Sequence, residues 1–276
     1  MRLKFPDVCE VLADEVARIA EGAGKRIRDI YQQEFDVEHK EDGSPLTMAD
    51  HAANDFIIES LNKLGLGFPI LSEESSSIPY EQRSGWETFW LVDPLDGTKE
   101  FVNRNGEFTV NIALINHGRP VIGVVHVPVS GVTYTGCENG GAFRIDPLGS
   151  AIEIRAGNFR GGPARVVGSR SHAGERLKTF IERYSAAYAQ AELVSMGSSL
   201  KLCLVAEGEA DVYPRFGPTS EWDTAAAHAV VSAAGGRVID LDGNDLVYNK
   251  PDILNPFFLV VDQGDFDWSP YASNGA

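Results

Sequence analysis

The apolar residues of this chain change period partway along, and that change decides what it can fold into. From Val8 to Tyr31, the residues Val8, Val11, Leu12, Val16, Ile19, Ile27 and Ile30 recur at spacings of three and four. That spacing puts them on one face of an amphipathic helix. A second helix is expected from about Thr47 to Leu64, with Ala52, Phe56, Ile57 and Leu61 on its buried side. Beyond it the apolar runs are short. Phe68-Pro69-Ile70-Leu71 and Thr88-Phe89-Trp90-Leu91-Val92 read as strands, and each stops at acids, Glu73-Glu74 and Asp93. Residues 108–115 and 120–129 read as a strand pair joined by Asn116-His117-Gly118-Arg119, with further strands at 132–137 and 142–145.

The glycine- and proline-rich stretch from Arg155 to Pro163 is the expected boundary between an N-terminal lobe, residues 1–158, and a C-terminal lobe, residues 159–276. In the second lobe, strands are expected at Val166-Val167, near Leu193, at 211–213 and at 257–261. Helices are expected at about 174–188, 198–207 and 222–234. Helices and strands alternate in both halves. This predicts a mixed α/β fold, α+β in its layering, with a mainly antiparallel first sheet rather than a parallel doubly wound one.

Composition narrows the functional classes. No stretch approaches the roughly 20 apolar residues of a membrane span, and the N-terminus lacks the apolar core of a signal peptide. A cytoplasmic protein without a transmembrane segment is expected, an expectation compatible with peripheral association with the inner membrane. Cys9, Cys137 and Cys203 are odd in number and widely scattered, so all three are expected as reduced core residues, neither disulfide-bonded nor zinc-binding. The net charge of −16 argues against a protein that wraps a nucleic acid polymer. A small anionic substrate is still allowed if cations offset the carboxylates around it.

The acids at the strand ends carry the chemistry. Asp93-Pro94-Leu95-Asp96-Gly97-Thr98 closes an apolar strand, with Pro94 forcing a turn and Gly97 permitting close backbone approach. Both carboxylates and the Leu95 carbonyl can then converge on one point, a hard-oxygen set that suits magnesium. Gly97 and Thr98 offer backbone N–H groups to a phosphate. Each acid also has a plainer reading. The hexapeptide alone is an Asx-type turn, and Glu73-Glu74 is a solvated loop pair. Asp50, in Thr47-Met48-Ala49-Asp50, fits a capping box, and Asp223 complements a helix dipole.

Together, Leu46-Thr47-x-Ala49-Asp50, Ser72-Glu73-Glu74-Ser75, Asp93-Pro94-Leu95-Asp96-Gly97-Thr98 and Trp222-Asp223-x-Ala225-Ala226 resemble, in order, the motifs of the lithium-sensitive inositol monophosphatase-like superfamily. The strings Lys99-Glu100-Phe101, Arg104-Asn105-Gly106-Glu107-Phe108-Thr109-Val110-Asn111 and Gly197-Ser198-Ser199-Leu200-Lys201 are most similar to its CysQ-type bisphosphate nucleotidases. So is Asp211-Val212-Tyr213-Pro214-Arg215. The resemblance implies the layered sandwich of that superfamily. It also implies that Glu73, Asp93 and the Leu95 carbonyl hold one Mg2+, while Asp93, Asp96 and Asp223 hold a second. Glu74 is left open between ordering a metal-bound water and holding a third, weaker ion. Thr98, hydrogen-bonded to Asp50, would orient the attacking water.

The implied substrate is a small nucleotide bisphosphate, 3'-phosphoadenosine 5'-phosphate, cleaved to AMP and phosphate by a monomer or homodimer. Its second phosphate would meet Ser198, Lys201 and Arg215, and its adenine would meet His172. Without the resemblance, Ser198 reads as an N-cap, Lys201 as a solvated helix residue, Arg215 as a strand-end charge and His172 as a surface residue. The rival readings are a phosphatase of the same superfamily acting on inositol or sugar phosphates, and a non-catalytic phosphoadenosine-binding protein.

Overall fold

The computed structural model describes residues 5–33, 45–75, 78–169 and 174–273. Two helices open the chain, α1 (Phe5–Tyr31) and α2 (Pro45–Lys63). Because α2 starts at Pro45, Thr47 and Asp50 lie inside the helix, not at its cap. Proline suits a first helical turn, where its missing N–H has no partner to lose.

Seven strands then form one sheet in sequence order: β1 (Ile70–Ser72), β2 (Thr88–Asp96), β3 (Thr109–Asn116), β4 (Arg119–His126), β5 (Thr133–Cys137), β6 (Gly141–Ile145) and β7 (Ala151–Ile154). All neighbours are antiparallel except β1 and β2, which are parallel. The β3–β4 hairpin turns on His117 and Gly118, both at positive φ. Three short helices, a 3₁₀ turn at Glu73–Ser75, α3 (Tyr80–Arg83) and α4 (Thr98–Val102), decorate the connections.

The second sheet has the order β11-β12-β10-β8-β9. Its strands are β8 (Ala164–Gly168), β9 (Ala191–Ser195), β10 (Val212–Arg215), β11 (Arg237–Asp240) and β12 (Phe258–Val261). The helices α5 (Glu175–Ala187), α6 (Leu200–Ala206), α7 (Glu221–Ala233) and α8 (Ser269–Ala272) complete the chain.

Three apolar clusters define the layers. Helices α1 and α2 cover one face of the first sheet through Val16, Ile27, Ile57, Trp90 and Val124. Its other face shares a core with α6, α7 and the second sheet, built from Leu91, Val125, Leu202, Ala226, Val230 and Val260. Helices α5 and α8 close the far side through Phe180, Tyr184 and Trp268. The result is an α-β-α-β-α sandwich, the layered α/β class expected from the alternation.

The middle helix sits unusually close to the first sheet. A Cβ on Gly123 would fall 2.0 Å from the Ala226 carbonyl oxygen, and one on its cross-strand partner Gly136 would fall 2.4 Å from Val230 Cα. Two side-chain-free positions on neighbouring strands thus admit the helix backbone.

One expectation fails outright. Cys9 on α1 and Cys137 on β5 are joined as a disulfide, with Cα atoms 6.0 Å apart, leaving Cys203 as the free buried cysteine. The two are 128 residues apart in sequence, so no spacing rule could pair them; the packing of α1 on the sheet does.

Two buried histidines make the fold acid-sensitive. His126 Nδ1 lies 2.9 Å from Thr133 Oγ1 and His228 Nδ1 lies 2.8 Å from the Tyr248 hydroxyl. Burial, the largest cause, pushes both imidazoles down to about 4. At these two sites the unfolded chain binds more protons than the folded one between pH 4 and about 6.5, so their contribution to stability falls as pH drops through that window. The loss is on the order of 3 kcal/mol per residue at the bottom of the window. Melting temperature followed from pH 7 to 4.5 carries this falling limb against the opposite contribution of the buried acids, so His126→Gln/His228→Gln should lose less, or gain more, than wild type over that range. An equally steep limb in that variant would remove the histidines from the account.

Candidate active site

The site is assembled where the first sheet meets α7. β2 does not turn at Pro94 as the sequence suggested; it runs on to Asp96. Asp93 pairs with Asn111 and Asp96 with Thr109, so β2 carries one more residue than β3 between these points. That is a β-bulge, which re-aims side chains at a sheet's rim. Pro94 is tolerated there because the bulge interrupts the hydrogen-bond ladder. Asp93 Oδ1 accepts the Leu95 N–H at 3.0 Å, which holds the bulge shut.

Glu73 follows β1, in the 3₁₀ turn next to β2, and stands within hydrogen-bonding reach of Asp93. Asp223 is in the first turn of α7, where its Oδ2 accepts the Ser220 N–H at 2.8 Å. Its capping role is therefore real and coexists with its place in the acid group. Asp50 reaches the site from α2. Its Oδ1 is buried without a hydrogen-bond partner among the described residues, and the bond to Thr98 implied by the resemblance is not made. Thr98 is exposed at the start of α4.

Electrostatics bind these acids into one group. Withdrawal from water, then Asp96, Glu73, Asp223 and Asp50 in turn, hold the Asp93 carboxyl well above the usual carboxylate range. Asp50 is pushed up to about 8 by burial, then by Glu74 and Glu73. Asp223 is pushed up to about 7 by burial and Asp96, against the opposing pull of the Ser220 N–H. Burial also raises Asp96, although Lys201 and the Ser199 N–H, donated to Asp96 Oδ2 at 2.6 Å, oppose it.

Buried carboxylates that raise one another's proton affinity are the signature of a site built for positive charge. The donor set is hard oxygen throughout, and Asp50 has an unsatisfied buried oxygen. The residues therefore fit a divalent cation. Among the described residues, no three acidic, imidazole or thiol groups already close on a single point. Such closure would set like charges against each other with nothing between them.

A cleft of about 650 Å³ opens from Asp96 and Gly97 and runs past Ser198, Lys201 and Arg215. Gly97 has φ 97° and lies under Phe108 and Ser198, where a Cβ would meet both at 3.2 Å. Lys201 is buried on α6, unlike the solvated helix residue of its plain reading, and its amine lies 5.8 Å from the Tyr213 ring. Arg215 ends β10, with Nη2 donating to the Pro218 carbonyl at 2.8 Å and Nε buried without a partner among the described residues. Ser198 is not the N-cap of α6. Ser199 is, and Ser198 stands before it at φ 41°. His172 lies outside the described residues.

Sequence reasoning quoted Thr109, Asn111 and Ser199 but gave them no role. Ser199 Oγ donates to Asn111 Oδ1 at 2.8 Å and lies 2.9 Å from Thr109 Oγ1, so β3 braces the loop that holds Asp96. Polar residues at alternate positions of a strand facing the acids were the available signal.

A family model described as the inositol monophosphatase family matches residues 9–258. The 3'(2'),5'-bisphosphate nucleotidase CysQ of Escherichia coli strain K12 is 48% identical over 252 residues, covering 90% of this chain and 99% of that protein. The protein of the same name from Haemophilus influenzae is 36% identical over 263 residues, covering 94% and 96%. Among solved structures, CysQ from Bacteroides thetaiotaomicron, described as a bacterial member of the same family, superposes with a TM-score of 0.84 at 43% identity, covering 92% of this chain and 97% of that one. An inositol monophosphatase from Zymomonas mobilis shares the fold at a TM-score of 0.77 and 20% identity.

Proposed function

We propose that this chain, which belongs to the inositol monophosphatase family, is a 3'(2'),5'-bisphosphate nucleotidase that removes the 3'-phosphate of 3'-phosphoadenosine 5'-phosphate. The observation that carries this reading is the junction of two opposite environments. A buried group of acids around Asp93 meets, at Asp96, a cleft walled by Lys201 and Arg215. A monophosphate ester would use the first; a bisphosphate uses both.

Glu73, Asp93 and the Leu95 carbonyl are the residues that would hold one Mg2+, and Asp93, Asp96 and Asp223 those that would hold a second. Glu74 would order a metal-bound water or hold a third, weaker ion. Bound magnesium supplies positive charge against the phosphoryl oxygens and makes water more acidic.

The chain's own residues do the rest. Asp50 would take a proton passed on from the attacking water through the Thr98 hydroxyl once two conditions are met: its carboxyl is ionised, and Thr98, which is not bonded to it here, closes on its free buried oxygen. The Gly97 and Thr98 N–H groups donate to phosphoryl oxygens as charge builds on them. Lys201, Arg215 and Ser198 hold the second phosphate and thereby fix which ester bond faces the acids. Among the described residues no helix is long and apolar enough to cross a membrane. Within this reading the enzyme works in the cytoplasm, as a monomer or homodimer, with Asp223 and the substrate contacts supplied by residues 159–276.

Phosphate release measured with magnesium on 3'-phosphoadenosine 5'-phosphate and on inositol 1-phosphate tests the substrate assignment. The nucleotide should be turned over far faster; equal or better use of the inositol ester would reject it. Arg215→Ala should raise KM for the bisphosphate by about tenfold or more, since a charge-assisted contact is worth roughly 1.5–3 kcal/mol, with kcat little changed. An unchanged KM would take Arg215 out of the substrate site.

A further inference from the structure

The cleft does not end at the groups assigned to the second phosphate. It continues to Gly168 on β8, Phe216 just after β10 and Arg176 in the first turn of α5. Arg176 is held there by rings rather than by an acid. Its guanidinium carbon lies 4.9 Å from the Phe216 ring centroid and 4.6 Å from that of Phe257. The two rings stand 6.3 Å apart at 87°, forming a corner in which the guanidinium sits. Phe216 and Arg176 face the cleft, while Phe257 does not line it. Among the described residues Arg176 has no carboxylate partner.

A guanidinium fixed against two aromatic rings has given up most of its side-chain freedom and presents a flat, weakly hydrated surface. Such a surface stacks well on another π-system. A phosphate would instead prefer its edge donors, and Lys201 and Arg215 already provide cations nearer to Asp96.

We propose that Arg176, seated on Phe216 and Phe257, is the platform against which the base of the nucleotide stacks. It is thus a specificity-determining residue that favours a nucleoside bisphosphate over a base-free sugar bisphosphate. The proposal rests on the nucleotidase reading above and adds the element of the cleft that would recognise the base.

The test is steady-state kinetics of wild type, Arg176→Lys and Arg176→Ala on two substrates, adenosine 3',5'-bisphosphate and methyl β-ribofuranoside 3,5-bisphosphate, which lacks the base. Lysine keeps the charge and loses the plane. Stacking on one side chain is worth roughly 1–3 kcal/mol per base, so both variants should raise KM for the nucleotide about tenfold. KM for the base-free sugar and both kcat values should stay within about twofold of wild type.

An unchanged nucleotide KM in Arg176→Lys, or an equal rise for both substrates, would overturn the platform in favour of a charge or packing role. A fall in melting temperature with both KM values unchanged would make Arg176 a structural clamp only, and overturn it too. A wild-type enzyme that turns over neither bisphosphate would sink the nucleotidase reading first. Wild-type turnover with an unresponsive Arg176 would sink this proposal alone.

Discussion

Asp93→Asn should leave a folded protein with about a thousandth of wild-type turnover or less, the scale set by removing a single preorganised electrostatic group from an active site. The substitution keeps the volume of the side chain and an oxygen to accept the Leu95 N–H that shapes the bulge. What it removes is the charge at the centre of the acid group. That charge is costly without a cation, because the residue is buried and four other acids press on it. Measured without divalent metal, the melting temperature of the variant should therefore equal or exceed that of wild type. Loss of turnover together with a lowered melting temperature would mean that Asp93 is a folding residue, and near-wild-type turnover would remove it from the mechanism.

The second large effect is the coupling of stability to divalent cation and pH. Asp50 and Asp223, with folded values pushed up to about 8 and about 7, hold protons that the unfolded chain has already released. At these two sites the folded state binds more protons than the unfolded one between pH 4 and 8, so their contribution to the stability of the metal-free protein falls as pH rises through that window. A cation that binds only the folded protein opposes this, by about 2.7 kcal/mol at a hundredfold excess over its Kd. For a chain of this size that corresponds to a rise of about 5–10 °C in melting temperature. Magnesium should thus stabilise strongly at pH 8 and little at pH 5, and chelation should abolish turnover at both. The same rise at pH 5 and pH 8 would mean that the ion binds elsewhere.

Much of this architecture was legible in the sequence because most elements bury a face. The 3.6-residue period of α1 and the short apolar runs of β2 to β5 could be read because water is excluded from one side of each. The strands that were missed bury little. β7 is an edge strand with Ala151, Ile152 and Glu153 exposed, and β11 is a four-residue edge strand with Arg237 exposed. Neither has an alternation to find.

Pro94 misled for a different reason. A proline inside a strand is disfavoured unless the ladder is already broken, and the bulge that breaks it depends on register with β3. The acids themselves were legible because each interrupts or follows an apolar element. Their mutual pressure was not, nor the burial of Lys201, nor the Cys9–Cys137 bond, since all three arise only when distant segments close on one another.

The glycine pair under α7 has a consequence for how this enzyme can vary. Asp223 rides on the helix and Asp93 is fixed in the sheet, while Gly123 and Gly136 set how low the helix rides above the strands. A methyl group at either position would lift the helix and carry one half of the acid set away from the other, though no acid had been altered. The altitude of a single helix is in this sense a tuning dimension of the reaction centre. Two strand residues without side chains, lying under Ala226 and Val230, keep it at its lowest setting.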